Sequence, residues 1–190
     1  METVLSKRML EGDNEGMPSD AACDELYAHV SQEYAAALAR LAAAYEANPQ
    51  RRQDLLQDIA FSVWRSLSKF AGECSLRTWV YRVAHNTALT HVARERRHRA
   101  HALYDLDELE RLPDILDSER CADEAQVLAR LRHLIQQLKP LDRQVIVLHL
   151  EGLKPAEIAI ISGLSAGNVA TKVHRIKELL ARRFNVEISS

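Results

Sequence analysis

Between Asp24 and Asn48 the apolar positions Leu26, Val30, Tyr34, Leu38, Leu41 and Tyr45 recur at spacings of three and four, which predicts a helix with one buried face. Asn48-Pro49 ends that segment, because the residue before a proline is pushed out of the helical region. A second helix follows from Gln53, with Leu56, Ile59, Val63 and Leu67 in one sector of the helical wheel and Asp54, Asp58, Phe61 and Arg65 on the other side. The break at 71–75 (AGECS) precedes a third helix. Here Val80, Val83, Ala84 and Thr87 share a core sector, while Trp79, Arg82, Asn86 and Arg97 form an adjacent, contact-ready one. The pattern dissolves over residues 101–123 and resumes as VLARLRHLIQQL, LDRQVIVLHL, PAEIAIIS and SAGNVATKVHRIKELLARRF. Pro140 fits the first helical position of the second of these, which stops at Glu151-Gly152.

The last two segments have the spacing of a helix-turn-helix. Ala159 is small where two helices cross, Gly163 fits a left-handed C-terminal cap, and Val169 recurs six residues later inside the next helix. Ser165 is placed to cap that helix, whose inward stripe is Val169, Val173, Ile176 and Leu180. Asn168, Thr171, His174 and Arg175 remain outside, with Lys172 at the flank. Such a set is either a solvated face or a reader of DNA, since a recognition helix offers Asn and Arg to base edges and Lys to phosphate.

Charge sharpens the second alternative. The net charge of −2 conceals blocks of −3 over residues 1–23, +3 over 24–100, −7 over 101–124 and +5 over 125–190, so two basic units flank an acidic connector. Arg94, Arg96, Arg97, His98 and Arg99 crowd the end of the third helix. With 47% hydrophobic residues and few Gly, Pro or aromatics, the chain has material for an all-α core. The expected organisation is a flexible arm (1–22), a helical domain (23–100), an acidic linker (101–123) and a helix-turn-helix domain (124–190). No apolar run nears the roughly 20 residues that span a bilayer and no signal peptide is seen, so a cytoplasmic protein without membrane insertion is expected. Three distant cysteines without CxxC spacing, and the absence of a Gly-rich phosphate loop, GxSxG or HExxH, point away from metal, cofactor and catalysis.

The ordered pieces DLLQDIAFSVWRSL, FAGECSLRTWVYRVAHNTA, RERRHR, an acidic linker, LKPLDRQVIVLHLEGLKPAEIA and SGLSAGNVATKVHRIKELL resemble the extracytoplasmic-function group of bacterial RNA polymerase sigma factors. That resemblance implies two helical domains that bind core RNA polymerase, recognise −10 and −35 promoter elements and help open DNA. By position, Asp54, Gln57, Asp58 and Phe61 match the face that docks on the polymerase clamp helices. The loop 71–77 with Arg77, Arg82 and Asn86 matches the part that captures a flipped −10 base, and Arg94, Arg96 and Arg97 supply a rail for the backbone. Asn168, Thr171, Lys172, His174 and Arg175 match the −35 reader, and the segment around 141–150 matches the surface that meets the polymerase flap. Trp79 and Tyr81 are read as packing residues more than as stacking platforms.

The sequence departs from the family pattern in places. Arg51, Arg52 and Gln53 stand where acids usually precede the clamp-docking helix, and Gly167-Asn168-Val169-Ala170-Thr171-Lys172 lacks the basic residue common at position 170. An unusual promoter sequence is therefore expected. The chain ends soon after its reading helix, so a separate anti-sigma partner is expected in place of a C-terminal regulatory domain. The competing reading is a stand-alone helix-turn-helix regulator, dimeric on duplex DNA, whose N-terminal helices sense a partner or ligand.

Overall fold

The computed structural model describes residues 20–98 and 124–185 of the chain, with side chains described over 23–95 and 125–183. Seven helices appear among these residues: α1 (Asp20–Tyr45), α2 (Pro49–Leu67), α3 (Leu76–His98), α4 (Glu124–Gln137), α5 (Pro140–Leu150), α6 (Pro155–Ser162) and α7 (Ala166–Asn185). α1 starts within the predicted arm, whose first 19 residues, like the acidic linker, lie outside the described residues. The expected all-α architecture with a helix-turn-helix at its C-terminal end is what forms.

Local chemistry explains the boundaries, with one revision. α1 stops at Tyr45, and Asn48 does not end it but opens α2. The Asn48 side chain accepts a hydrogen bond from the Arg51 amide at 3.1 Å, and Pro49 occupies the first helical position, where its missing N–H costs nothing. Arg51 thus lies inside the first turn of α2, tied back to the buried Glu46 through Nε–Oε2 at 3.1 Å. Burial alone would raise the Glu46 carboxyl, but hydrogen bonds from Arg51, the Asn48 amide and His91 outweigh it and hold the group down at about 2. On α2 the fully buried leucine is Leu55 rather than Leu56, which packs only partly, so the core stripe is Leu55, Ile59, Val63 and Leu67.

α1, α2 and α3 pack on one another, and α7 packs on α5 and α6; α1 and α3 of the first unit meet α4, α5 and α6 of the second. One continuous apolar cluster runs from Val30 to Leu180 through both units. This changes the face that α3 buries. Tyr81, His85 and Ala88 are inside with Val80 and Ala84, whereas Val83 and Thr87, predicted as core, are only partly covered. The reason is that α3 is sandwiched: its second buried side faces the C-terminal unit.

The seam between the units is polar at its centre. Arg143 of α5 is buried, donates to the Leu138 carbonyl at 3.0 Å and to that of Gln136, and lies over the Tyr45 ring at 5.3 Å from its centroid. Tyr45 Oη is in turn 2.9 Å from His85 Nδ1. Gln136 Nε2 donates to the Ala43 carbonyl at 2.7 Å, fixing α4 against α1. Burial pushes His85 down from 6.5 to about 3, so the folded chain keeps this imidazole neutral. The unfolded chain takes a proton below 6.5; stability from this group is therefore intact above 6.5 and lost as pH falls toward 3. Denaturant unfolding should show the stability advantage of the wild type over His85→Gln shrinking by about 1.4 kcal/mol between pH 7.5 and roughly pH 5.5.

Candidate nucleic-acid and polymerase surfaces

Three surfaces carry the residues selected from the sequence. The first is the outer face of α2, set by the burial of Leu55, Ile59 and Val63 on the other side. Asp54, Gln57, Asp58 and Phe61 are all exposed on it. Phe61 is 56% exposed, its ring 6.0 Å from that of Trp64, and the Arg65 guanidinium lies 5.5 Å from the Phe61 centroid. Trp64, missed by the sequence reading, is also exposed and is braced by a 3.3 Å bond from Nε1 to Asp24 of α1. Two carboxylates and two large aromatic rings thus share the exposed face of α2.

The second surface is α3, and there the predicted set divides. Ser75 caps the helix, its Oγ accepting from the Thr78 amide at 3.1 Å, after the turn at Gly72, whose φ is +75°. Arg82 lies 4.6 Å from the Trp79 ring centroid, and Asn86 is exposed on the same side of the helix. Trp79 is half-buried: its Nε1 donates to Ser66 Oγ at 3.0 Å and its ring packs on Phe70 at 5.6 Å. Tyr81 is 2% exposed. Both aromatics therefore pack, as the sequence suggested, and Trp79 also braces Arg82. Arg77 faces the other way, toward α5, where its Nη2 donates to the Glu151 carbonyl. Arg94 is exposed, with an Asp58 oxygen at 4.0 Å. Arg96 and Arg97 fall outside the residues whose side chains are described.

The third surface is the helix-turn-helix. α6 opens with the Lys154 amide donating to Glu157 Oε2 at 2.7 Å and closes on Gly163 at φ +75°, the left-handed conformation glycine adopts without steric cost. Ser165 Oγ accepts from the Asn168 amide at 3.2 Å and so caps α7. Val169 and Ile176 are fully buried with Leu179 and Leu180 beside them, which turns Asn168, Thr171, His174 and Arg175 outward. Thr171 Oγ1 donates to the Gly167 carbonyl at 3.0 Å, and His174 Nε2 is 3.3 Å from Glu178. Lys172 differs: its Nζ is 2.6 Å from Asp142 Oδ1, a half-buried pair that ties the recognition helix to the start of α5.

Residues 30–98, covering α3, α2 and most of α1, match the family model "Sigma-70 region 2", and residues 128–180, covering α5, α6 and most of α4 and α7, match "Sigma-70, region 4". The chain belongs to the sigma-70 family, in its extracytoplasmic-function group. This sigma factor is 29% identical over 138 residues to the RNA polymerase sigma-H factor of Pseudomonas aeruginosa, covering 69% of this chain and 72% of that protein. It is 30% identical over 151 residues to the ECF RNA polymerase sigma factor SigG of Mycobacterium tuberculosis, covering 67% of this chain but only 40% of the longer relative. SigE of Mycolicibacterium smegmatis is 29% identical over 171 residues, covering 89% of this chain and 63% of that protein. Among solved structures, that of CnrH in complex with the cytosolic domain of CnrY has the same fold, with a TM-score of 0.64 at 20% identity over 98% of both chains.

In this sigma factor, region 2 thus carries the α2 and α3 surfaces and region 4 carries the α7 surface. The Lys172–Asp142 pair makes a stability difference within region 4 measurable. Lys172→Ala should lower unfolding free energy by about 1–2 kcal/mol, as it leaves a largely buried carboxylate unpaired. Asn168→Ala, on the exposed face, should stay within about 0.5 kcal/mol of wild type in the same urea titration.

Proposed function

We propose that the chain acts as a dissociable promoter-specificity subunit with no chemistry of its own, working in the cytoplasm. The outer face of α2, with Asp54, Gln57, Asp58, Phe61 and Trp64, docks on the clamp helices of core RNA polymerase. The region around α5 meets the flap. Arg82 and Asn86 hold the −10 strand where its bases unstack, with Arg77, Arg94, Arg96 and Arg97 along the backbone. Asn168, Thr171, His174 and Arg175 read the −35 element from the major groove, and Lys172 serves that reading by fixing the angle of α7.

The observation that carries this is the presence, in order, of a region 2 unit whose exposed α3 face pairs Arg82 with Trp79 beside Asn86, and a region 4 unit whose capped α7 turns polar side chains outward. A neutral Asn168 in the first turn of a groove-reading helix and a basic Arg175 about two turns on suit base edges, and a guanidinium braced on an indole suits a single strand. The fold shared with CnrH, seen with the cytosolic domain of CnrY, supports an anti-sigma protein as the regulatory partner.

Mixed with core polymerase and a library of promoter fragments, the chain should direct sequence-dependent initiation. Arg175→Ala should weaken selection at one −35 position by about 1–3 kcal/mol. Asn86→Ala should slow opening without changing retention on core. Failure of core polymerase to retain the chain at low salt, together with tight duplex binding by a dimer, would instead establish the stand-alone regulator.

A further inference from the structure

One residue at the seam gathers donors from two helices of the other unit. Glu151 ends α5, and Gly152 beyond it turns with φ +79°. The Glu151 carboxylate receives both arms of the Arg40 guanidinium, Nε to Oε1 and Nη2 to Oε2, each at 2.7 Å. Tyr81 Oη donates to Oε2 at 3.1 Å, and Arg77 donates to the main-chain carbonyl of the same residue while lying 5.8 Å from the Tyr81 ring centroid. Burial, then the neighbouring Glu151 charge, pushes the Tyr81 hydroxyl up to about 12, so it remains a donor. The Glu151 side chain is 10% exposed, whereas that of Arg40 is 61% exposed.

Three donor groups from α1 and α3 therefore converge on one residue of the other unit, Arg40 and Tyr81 on its carboxylate and Arg77 on the carbonyl beside it. Two of them are guanidinium groups, and the fork-shaped, bidentate grip of Arg40 is the geometry that fits phosphate as well as carboxylate. Arg77 already belongs to the −10 set, and Arg40, drawn from outside that set, sits beside it. We propose that Arg40, Arg77 and Tyr81 form a binding site for a backbone phosphate of the opened promoter strand, and that Glu151 occupies it as an internal stand-in. Strand binding and closure of region 4 on region 2 then compete for the same donors. The proposal rests on the reading of the chain as a promoter-binding sigma factor.

Phosphate contacts are indifferent to base sequence, so a fluorescent single-stranded oligonucleotide of mixed sequence tests the site without knowledge of the promoter. Glu151→Gln in the full chain should bind it about tenfold more tightly than wild type, because the competing anion is gone. Adding Arg40→Gln to that variant should abolish the gain and flatten the salt dependence of log affinity by about 0.7, one phosphate on a single strand. The proposal is overturned if Glu151→Gln gains nothing while its circular dichroism and melting match wild type, or if the gain survives loss of Arg40. It is equally overturned if inorganic phosphate at constant ionic strength displaces the oligonucleotide as fully as competing DNA does, for then the site takes small anions. An initiation assay with core polymerase and wild type runs beside these titrations. Failure there strikes the sigma-factor assignment, whereas the oligonucleotide result needs no polymerase.

Discussion

Glu151 is gripped by Arg40 and Tyr81 through its carboxylate and by Arg77 through its carbonyl, and these bonds help close a seam that sets a few polar groups, Arg143, His85 and the Tyr45 hydroxyl, among apolar side chains. Each unit alone would leave one side of α3 and α5 uncovered; together they bury Tyr81, Val145, Ile146 and Leu148 in one cluster, with the polar His85 buried as well. A neutral His85 and a guanidinium stacked on Tyr45 show that the polar groups trapped there are accommodated by pairing and by proton loss. Arg143 is accordingly disfavoured as a cation by its burial, and carbonyl acceptors from Gln136 and Leu138 offset that cost.

The same packing sorts the functional side chains. On α2 and α7 the faces that remain outside are those assigned to partners in the proposed function, because the opposite faces are fixed by Ile59 and Val63 in one case and Val169 and Ile176 in the other. α3 has no such freedom. One side presents Arg82 and Asn86, and the other presents Arg77 to Glu151. On the proposed function, the closed molecule offers part of its −10 surface, Arg82 and Asn86, while Arg77 is engaged.

What the sequence made legible is what local rules govern. The helix-turn-helix could be read from Ala159, Gly163 and Ser165 because a left-handed cap and a side-chain cap act over three or four residues. The amphipathic faces of α1, α2 and α7 followed from periodicity, with Leu55 and Leu56 exchanged because adjacent positions differ by about 100° and both pack. The buried side of α3 was misplaced for a different reason. Tyr81 and His85 carry polar atoms and look half-exposed in a periodic reading, but Tyr34 and Tyr45 of α1 pack on them and Glu151 of the other unit accepts from the Tyr81 hydroxyl. Lys172 and Asp142 are thirty residues apart, and Arg40 and Glu151 are 111 apart, so neither pairing has a local signature. Trp64 was passed over because a single large apolar residue on a helix is an ordinary sight until Phe61 is found beside it.

On the proposed function, the free chain is closed and engagement with polymerase and DNA opens it. Spin labels at positions 73 and 181, in a chain whose native cysteines are replaced by alanine, would report the separation of the two units by double electron–electron resonance. A single short distance in the free protein, shifting to a longer one when core polymerase and promoter DNA are added, is the predicted result. A long or broad distribution in the free protein, unchanged by Glu151→Gln or by polymerase, would contradict it.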